Sequence, residues 1–114
     1  MIDQIGPQEF SNWLEKHASN AQPVLVIDVR ENWEFETAKV QAQGFELLHI
    51  PMQTIPAHLG ELDKSRPIAL LCHHGSRSQH VAGFLQQNGF EVLANISGGI
   101  HAWSLERDPS VPTY

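Results

Sequence analysis

The sequence predicts a three-layer α/β domain with a largely parallel central sheet flanked by helices. Three observations carry that expectation. Short apolar runs alternate along the chain with segments of helical period, which is the pattern of successive βα units. Two of the runs, Val24-Leu25-Val26-Ile27 and Ile68-Ala69-Leu70-Leu71-Cys72, are apolar at consecutive positions, so both faces of each strand need a cover of helices. The length, 114 residues, suits one core, and no repeat, low-complexity tract or linker divides it. Residues 1–114 are therefore expected to form a single domain.

The elements follow in order. Pro7 suits the first turn of a helix, and Phe10, Trp13 and Leu14 then recur at i, i+3 and i+4. Pro23 to Val29 is β-branched and apolar, a buried strand. A short polar helix with Trp33 and Phe35 is expected next. Phe45 to Ile50 reads as a second strand stopped by Pro51, and Pro56 to Leu62 as a brief helical turn. Pro67 to Cys72 is another buried strand. Ser78 to Asn88 carries Val81, Ala82, Phe84 and Leu85 on one helical face and stops at Gly89, a usual C-terminal cap. Glu91 to Ile96 is the last strand, and Gly98-Gly99 opens a final helix with Ile100 and Trp103 on one side. The expected order is α-β-α-β-α-β-α-β-α.

Composition narrows the function. With 41% hydrophobic and 18% charged residues, the chain fits neither a disordered nor a membrane class. Seven Lys and Arg against thirteen Asp and Glu give a net charge of −6. That balance speaks against binding nucleic acid or an anionic membrane through a basic face. The first residues lack the basic and apolar regions of a signal peptide, and no apolar run approaches the ~20 residues that span a bilayer. The cytoplasm is the expected compartment. Within the chain the acidity is uneven: residues 1–63 hold ten acidic and three basic side chains, whereas residues 64–114 hold three and four.

Cys72 is the only cysteine. It can form no internal disulfide and cannot resolve its own oxidised thiol, so it is either a small buried hydrophobe or a lone reactive thiol. Taken alone, a free cysteine is more often the first, but the loop around it holds what the second would need. In open α/β sheets ligands bind at the carboxyl ends of strands, where the next helix points its N-terminus outward, and Cys72 ends such a strand. The loop Cys72-His73-His74-Gly75-Ser76-Arg77-Ser78 holds the parts of an anion pocket floored by a thiolate. Backbone N–H groups and the positive helix end converge above the strand terminus. Gly75 permits a positive φ and a close approach to an anion. Arg77 adds a permanent cation with two donors. Ser76 or Ser78 can cap the helix or donate a hydroxyl into the cradle. A thiol needs such help, since an unperturbed cysteine titrates near 8.5 and the thiolate is the nucleophile.

This loop resembles the active-site loop of single-domain rhodanese-like sulfurtransferases, written C-x-x-G-x-(R/T) in that family. Two further blocks agree in order and spacing. Asp28-Val29-Arg30-Glu31 followed by Trp33-Glu34-Phe35 resembles the D-V-R-E-x-x-E-(F/Y) block after the family's first core strand. Ser97-Gly98-Gly99-Ile100 with Ala102-Trp103 resembles its closing G-G-(I/V)-x-x-W motif. The sequence departs at Leu48-His49-Ile50-Pro51-Met52, where the family often carries G-H-(I/V)-P-G-A. The resemblance implies a three-layer rhodanese-like domain that moves sulfane sulfur from an anionic small-molecule donor such as thiosulfate, through a persulfide on Cys72, to cyanide, an external thiol or a protein acceptor. Residues His73, His74, Gly75, Ser76, Arg77 and Ser78 would bind the substrate, and the loop amides would stabilise the anionic sulfur. The phosphatases that share this fold use C-x5-R, whereas four residues separate Cys72 from Arg77 here, which disfavours a phosphate site. A sulfur-relay or persulfide-sensing module with little thiosulfate turnover is the alternative.

The remaining polar residues receive plainer roles. Asp28 and Arg30 are expected to form a structural ion pair with Glu34 or another carboxylate, and Trp33, Phe35 and Trp103 to pack under the loops. His73 and His74 are expected at the pocket rim and His101 at the surface. No cofactor and no metal is expected, because zinc sites take three or four protein ligands and no second cysteine or Cys/His pair is near in sequence.

Overall fold

The two apolar runs lie side by side at the centre of one five-stranded sheet. In the computed structural model, which describes residues 1–18 and 22–114, the strands are β1 (Ile2–Ile5), β2 (Val24–Asp28), β3 (Phe45–His49), β4 (Ile68–Leu71) and β5 (Leu93–Ile96). They stand in the order β1-β5-β4-β2-β3, and every pairing is parallel. The helices are α1 (Phe10–His17), α2 (Asn32–Thr37), α3 (Ile55–His58), α4 (Ser76–Gln87) and α5 (Gly99–Glu106), with single 3-10 turns at Met52–Thr54 and Leu59–Glu61. Among the described residues no helix is long and apolar enough to cross a membrane.

Side-chain alternation builds the three layers. Val24 and Val26 of β2, Ala69 and Leu71 of β4, and Ala94 and Ile96 of β5 face one way. They pack with Phe10 and Trp13 of α1 and Ile100 and Trp103 of α5. The intervening Leu25, Ile27, Ile68, Leu70 and Leu93 face the other way, onto Ile55 of α3 and Val81, Ala82 and Leu85 of α4. Both faces of β2, β4 and β5 are buried, so these inner strands carry mostly apolar residues at successive positions.

Two expectations need correction. The chain begins with a strand that the periodicity did not mark. In β1 only Ile5 is buried, and this edge strand exists through its pairing with β5, as Ile2 to Ile5 register with Leu93 to Ile96. Trp33 is not packed under a loop; it is 61% exposed, because α2 turns Glu34 inward in its place. Trp103 is buried as expected.

Strand order places the site. From β2 the chain moves outward to β3, and from β4 it moves the opposite way to β5. The carboxyl ends of β2 and β4 therefore flank a topological switch point, the place where open α/β sheets bind their ligands. Asp28 registers with Leu71. Arg30 and Cys72, each just past its strand, emerge on the same edge.

Candidate active site

Cys72 is 1% exposed, so its sulfur lies beneath the loop that follows. The turn above it is made by Gly75, which has φ of 106° and is the N-cap of α4. A side chain there would be strained, and its Cβ would press on the backbone nitrogen of Gly98 at 3.3 Å. This left-handed turn aims the Gly75 N–H at Cys72 Sγ, 3.1 Å away. The helix therefore starts at Ser76, two residues earlier than the periodicity implies.

Of the two roles open to the serines, capping is taken by neither and the place in the cradle by Ser78. Ser76 is exposed at the first position of α4, and neither serine caps the helix through its side chain. Ser78 is fully buried, with its hydroxyl 3.2 Å from Cys72 Sγ. That hydroxyl also donates to Asn95 Oδ1 at 2.5 Å. The Asn95 amide nitrogen in turn donates to Gln4 Oε1 and to the Gly75 carbonyl. Both of those groups accept, which orients the amide and leaves its oxygen for Ser78. With the Ser78 proton committed to Asn95, the neutral thiol donates to Ser78. An anionic sulfur would instead recruit that proton and keep the Gly75 amide. The site thus offers one fixed and one switchable donor to a thiolate.

Asn95 and Gln4 were not singled out from the sequence. Asn95 did carry a signal, as the one polar residue within the buried run Leu93-Ala94-Asn95-Ile96; Gln4 lies on the strand that periodicity missed.

Arg77 is a brace. Its two terminal nitrogens meet the two oxygens of Glu34 at 2.6 and 2.9 Å. This forked pair ties the first turn of α4 to α2, across 43 residues of sequence. The bond to the Glu34 carboxylate raises the Arg77 pKa. Glu34 is held down to about 2, first by Arg77, with Tyr114 and the Glu31 amide assisting against burial. Tyr114, also unpredicted, donates to Glu34 Oε2 and accepts from Arg30. Burial is the main reason its phenol is pushed up to about 12.

Asp28 and Arg30 form the expected ion pair, 2.7 Å apart and both fully buried. Its third member differs from the expectation. Arg30 reaches the backbone carbonyl of Glu34, not the carboxylate, and also the carbonyl of Ala38. Burial opposes the Arg30 charge, and Asp28 with Tyr114 more than restores it. Such a pair, with its donors spent on carbonyls, holds the loop after β2 rigid beneath α2.

The depressed Glu34 carboxyl makes a signed prediction. A folded-state value below the unfolded one contributes stability that is complete above about 4.5 and is lost as pH falls toward 2. Because Arg77 is 31% exposed, screening limits the contribution to about 2 kcal/mol. Urea denaturation should therefore find Glu34→Gln less stable than wild type by about that amount at pH 6. The gap should narrow below pH 4.5 and close near pH 2. A gap independent of pH would contradict the ion-pair account.

The histidines complete the rim. His74 is exposed, and His73 is half-buried between the rings of His74 and Tyr114, at centroid distances of 4.0 and 3.9 Å. Burial lowers the His73 pKa, and His74 adds to that. His101, expected at the surface, is half-buried instead, with its ring 5.1 Å from that of His74.

Comparison with known proteins agrees with this geometry. The rhodanese-like domain family matches residues 10–106. A protein from Allochromatium vinosum named sulfurtransferase is 31% identical over 113 residues, covering 97% of this chain and 96% of that protein. The rhodanese-like/PpiC domain-containing protein 12 of Arabidopsis thaliana, chloroplastic, is 38% identical over an alignment of 109 residues that covers 88% of this chain. The chain spans only 35% of the Arabidopsis protein's length. The crystal structure of a rhodanese-like domain protein from Staphylococcus aureus superposes with a TM-score of 0.75 at 29% identity, covering 99% of both chains.

Proposed function

The chain belongs to the rhodanese-like domain family, and from that premise we propose that it is a single-domain sulfurtransferase whose nucleophile is Cys72. The observation that carries the reading is the Gly75 amide directed at Cys72 Sγ at 3.1 Å, in the loop that follows β4. A preorganised N–H on sulfur stabilises negative charge, and both the thiolate and a persulfide carry it there.

In the first step the Cys72 thiolate attacks the outer sulfur of thiosulfate. A new S–S bond forms, the bond to the sulfonate sulfur breaks, and sulfite leaves with the electron pair. In the second, the carbon of cyanide or the sulfur of a thiol attacks the terminal sulfur of the persulfide. The S–S bond breaks toward Cys72 and the thiolate is regenerated. This is covalent catalysis in two displacements. The Gly75 amide and the Ser78 hydroxyl serve the sulfur anion, and His73 and His74 line the entrance. Arg77 and Glu34 hold the turn in register, with Asp28 and Arg30 beneath. A recessed thiol suits a slender donor better than a bulky electrophile, and the low acidity of residues 64–114 lets an anion approach.

A relay role has its own support. With one cysteine, every persulfide formed here must leave through an outside nucleophile, either a small thiol or an acceptor protein. A lone thiol also suits a reducing compartment such as the cytoplasm.

The test is to treat the protein with thiosulfate, read the intact mass, then add cyanide and measure thiocyanate. A gain of one sulfur atom followed by thiocyanate production supports the enzyme reading. A stable gain with negligible thiocyanate supports the relay. No gain with thiosulfate or with a panel of persulfide donors overturns both.

A further inference from the structure

We propose that His73, His74 and His101 form a binding site for a transition-metal cation of the zinc class at the rim of the Cys72 loop. The proposal goes beyond sulfur transfer and does not depend on it.

The fold assembles the three side chains. The start of α5 docks on the loop through two backbone bonds, from the Ile100 N–H to the Cys72 carbonyl at 2.8 Å and from the His101 N–H to the His73 carbonyl at 3.1 Å. These bonds fix His101 beside His73 although 28 positions separate them in sequence. The third ligand, His74, is next along the loop. One ring nitrogen from each residue lies within 4.8 Å of the others. Zinc–nitrogen bonds of 2.0–2.1 Å in tetrahedral array put nitrogens about 3.3 Å apart, so closure needs movements of roughly 1 Å. His74 is exposed and can turn out of its stack on His73 to supply them.

A second observation points to a ligand. His73 Nε2 and His101 Nδ1 are both shielded from solvent and have no hydrogen-bond partner among the described residues. Buried ring nitrogens are normally satisfied, and leaving one unpaired costs about 1–3 kcal/mol. A cation bound through either of these nitrogens would supply the partner it lacks. Three neutral imidazoles favour zinc, copper or nickel over magnesium or calcium, which prefer oxygen. Three protein nitrogens leave the fourth position of a tetrahedral cation open to water or an anion.

The test uses the full chain without a histidine tag. Zn(II) is titrated calorimetrically, with Co(II) absorption as a report on geometry and Mg(II) as the control. Zinc should bind at one site per chain with a dissociation constant on the order of 10 µM or tighter, Co(II) should give the intense visible bands of a tetrahedral complex, and Mg(II) should not bind. His74→Ala, at an exposed position, and His101→Ala should each weaken zinc by at least about tenfold, with folding checked by circular dichroism. Cys72→Ser should bind zinc as the wild type does. The proposal is overturned if the wild type shows no binding at 100 µM, roughly tenfold above that limit, if either histidine variant binds unchanged, or if Cys72→Ser abolishes binding.

Discussion

Cys72→Ser should leave a folded protein in which thiosulfate:cyanide sulfur transfer falls on the order of a thousandfold or more. The substitution exchanges one small buried atom for another in a site that already holds a hydroxyl and an amide. Denaturation midpoints should therefore stay close to wild type. What is lost is the anion. A serine hydroxyl at neutral pH has no base beside it here: its neighbours are Ser78 and the Gly75 amide, and neither removes a proton. Oxygen also cannot carry sulfane sulfur as a persulfide, so the covalent intermediate disappears along with the nucleophile. The measurement is thiocyanate production by both proteins, together with the gain of one sulfur atom in intact mass. Equal thiocyanate from the serine variant would remove Cys72 from the mechanism.

The second large effect is structural. Gly99→Ala should destabilise the domain by about 3–5 kcal/mol, in the exceptional range for a single substitution. Gly99 has φ of 62°, where an L side chain costs about 1–2 kcal/mol. A Cβ on it would also run into the carbonyl oxygens of Cys72 and His73. These are the two acceptors of the Ile100 and His101 N–H groups. Relief of the collision must pull α5 off the loop and break bonds worth about 1 kcal/mol each. Gly83→Ala is the control. Gly83 lies within α4 with open space where its Cβ would stand, so the change should stabilise by roughly 0.5–1 kcal/mol. Urea denaturation of both variants decides the matter. A loss under about 1 kcal/mol at Gly99 would mean that α5 and the loop are not in contact. The same variant should slow sulfur transfer, since the loop that bears Gly75 loses its support.

Most of the fold was legible in local pattern. Consecutive apolar residues at Val24 to Ile27 and Ile68 to Leu71 announced strands covered on both faces. The recurrence of Phe10, Trp13 and Leu14 marked α1, and Pro51 and Gly89 marked ends. The candidate nucleophile was legible too, because a lone cysteine after a buried strand, followed by Gly75 and Arg77, is a compact local arrangement. The misses share one cause. Strand β1 is four residues long with Asp3 and Gln4 among them, and it is a strand only because β5 lies alongside. Trp33 faces outward because the inward position of α2 goes to Glu34, whose carboxylate finds Arg77, which no local window contains. Ser78 took the place by the sulfur, while the backbone of Gly75 capped the helix.

The sequence by itself determined the layered fold and the loop that carries Cys72. Those properties are set by period and spacing within short stretches of chain. The tertiary structure alone decided which distant polar groups meet: Glu34 with Arg77, Ser78 with Asn95, and His101 with His73 and His74. In a parallel sheet each neighbouring strand arrives by a crossover, so these encounters depend on strand order and register. Residue spacing along the chain carries neither.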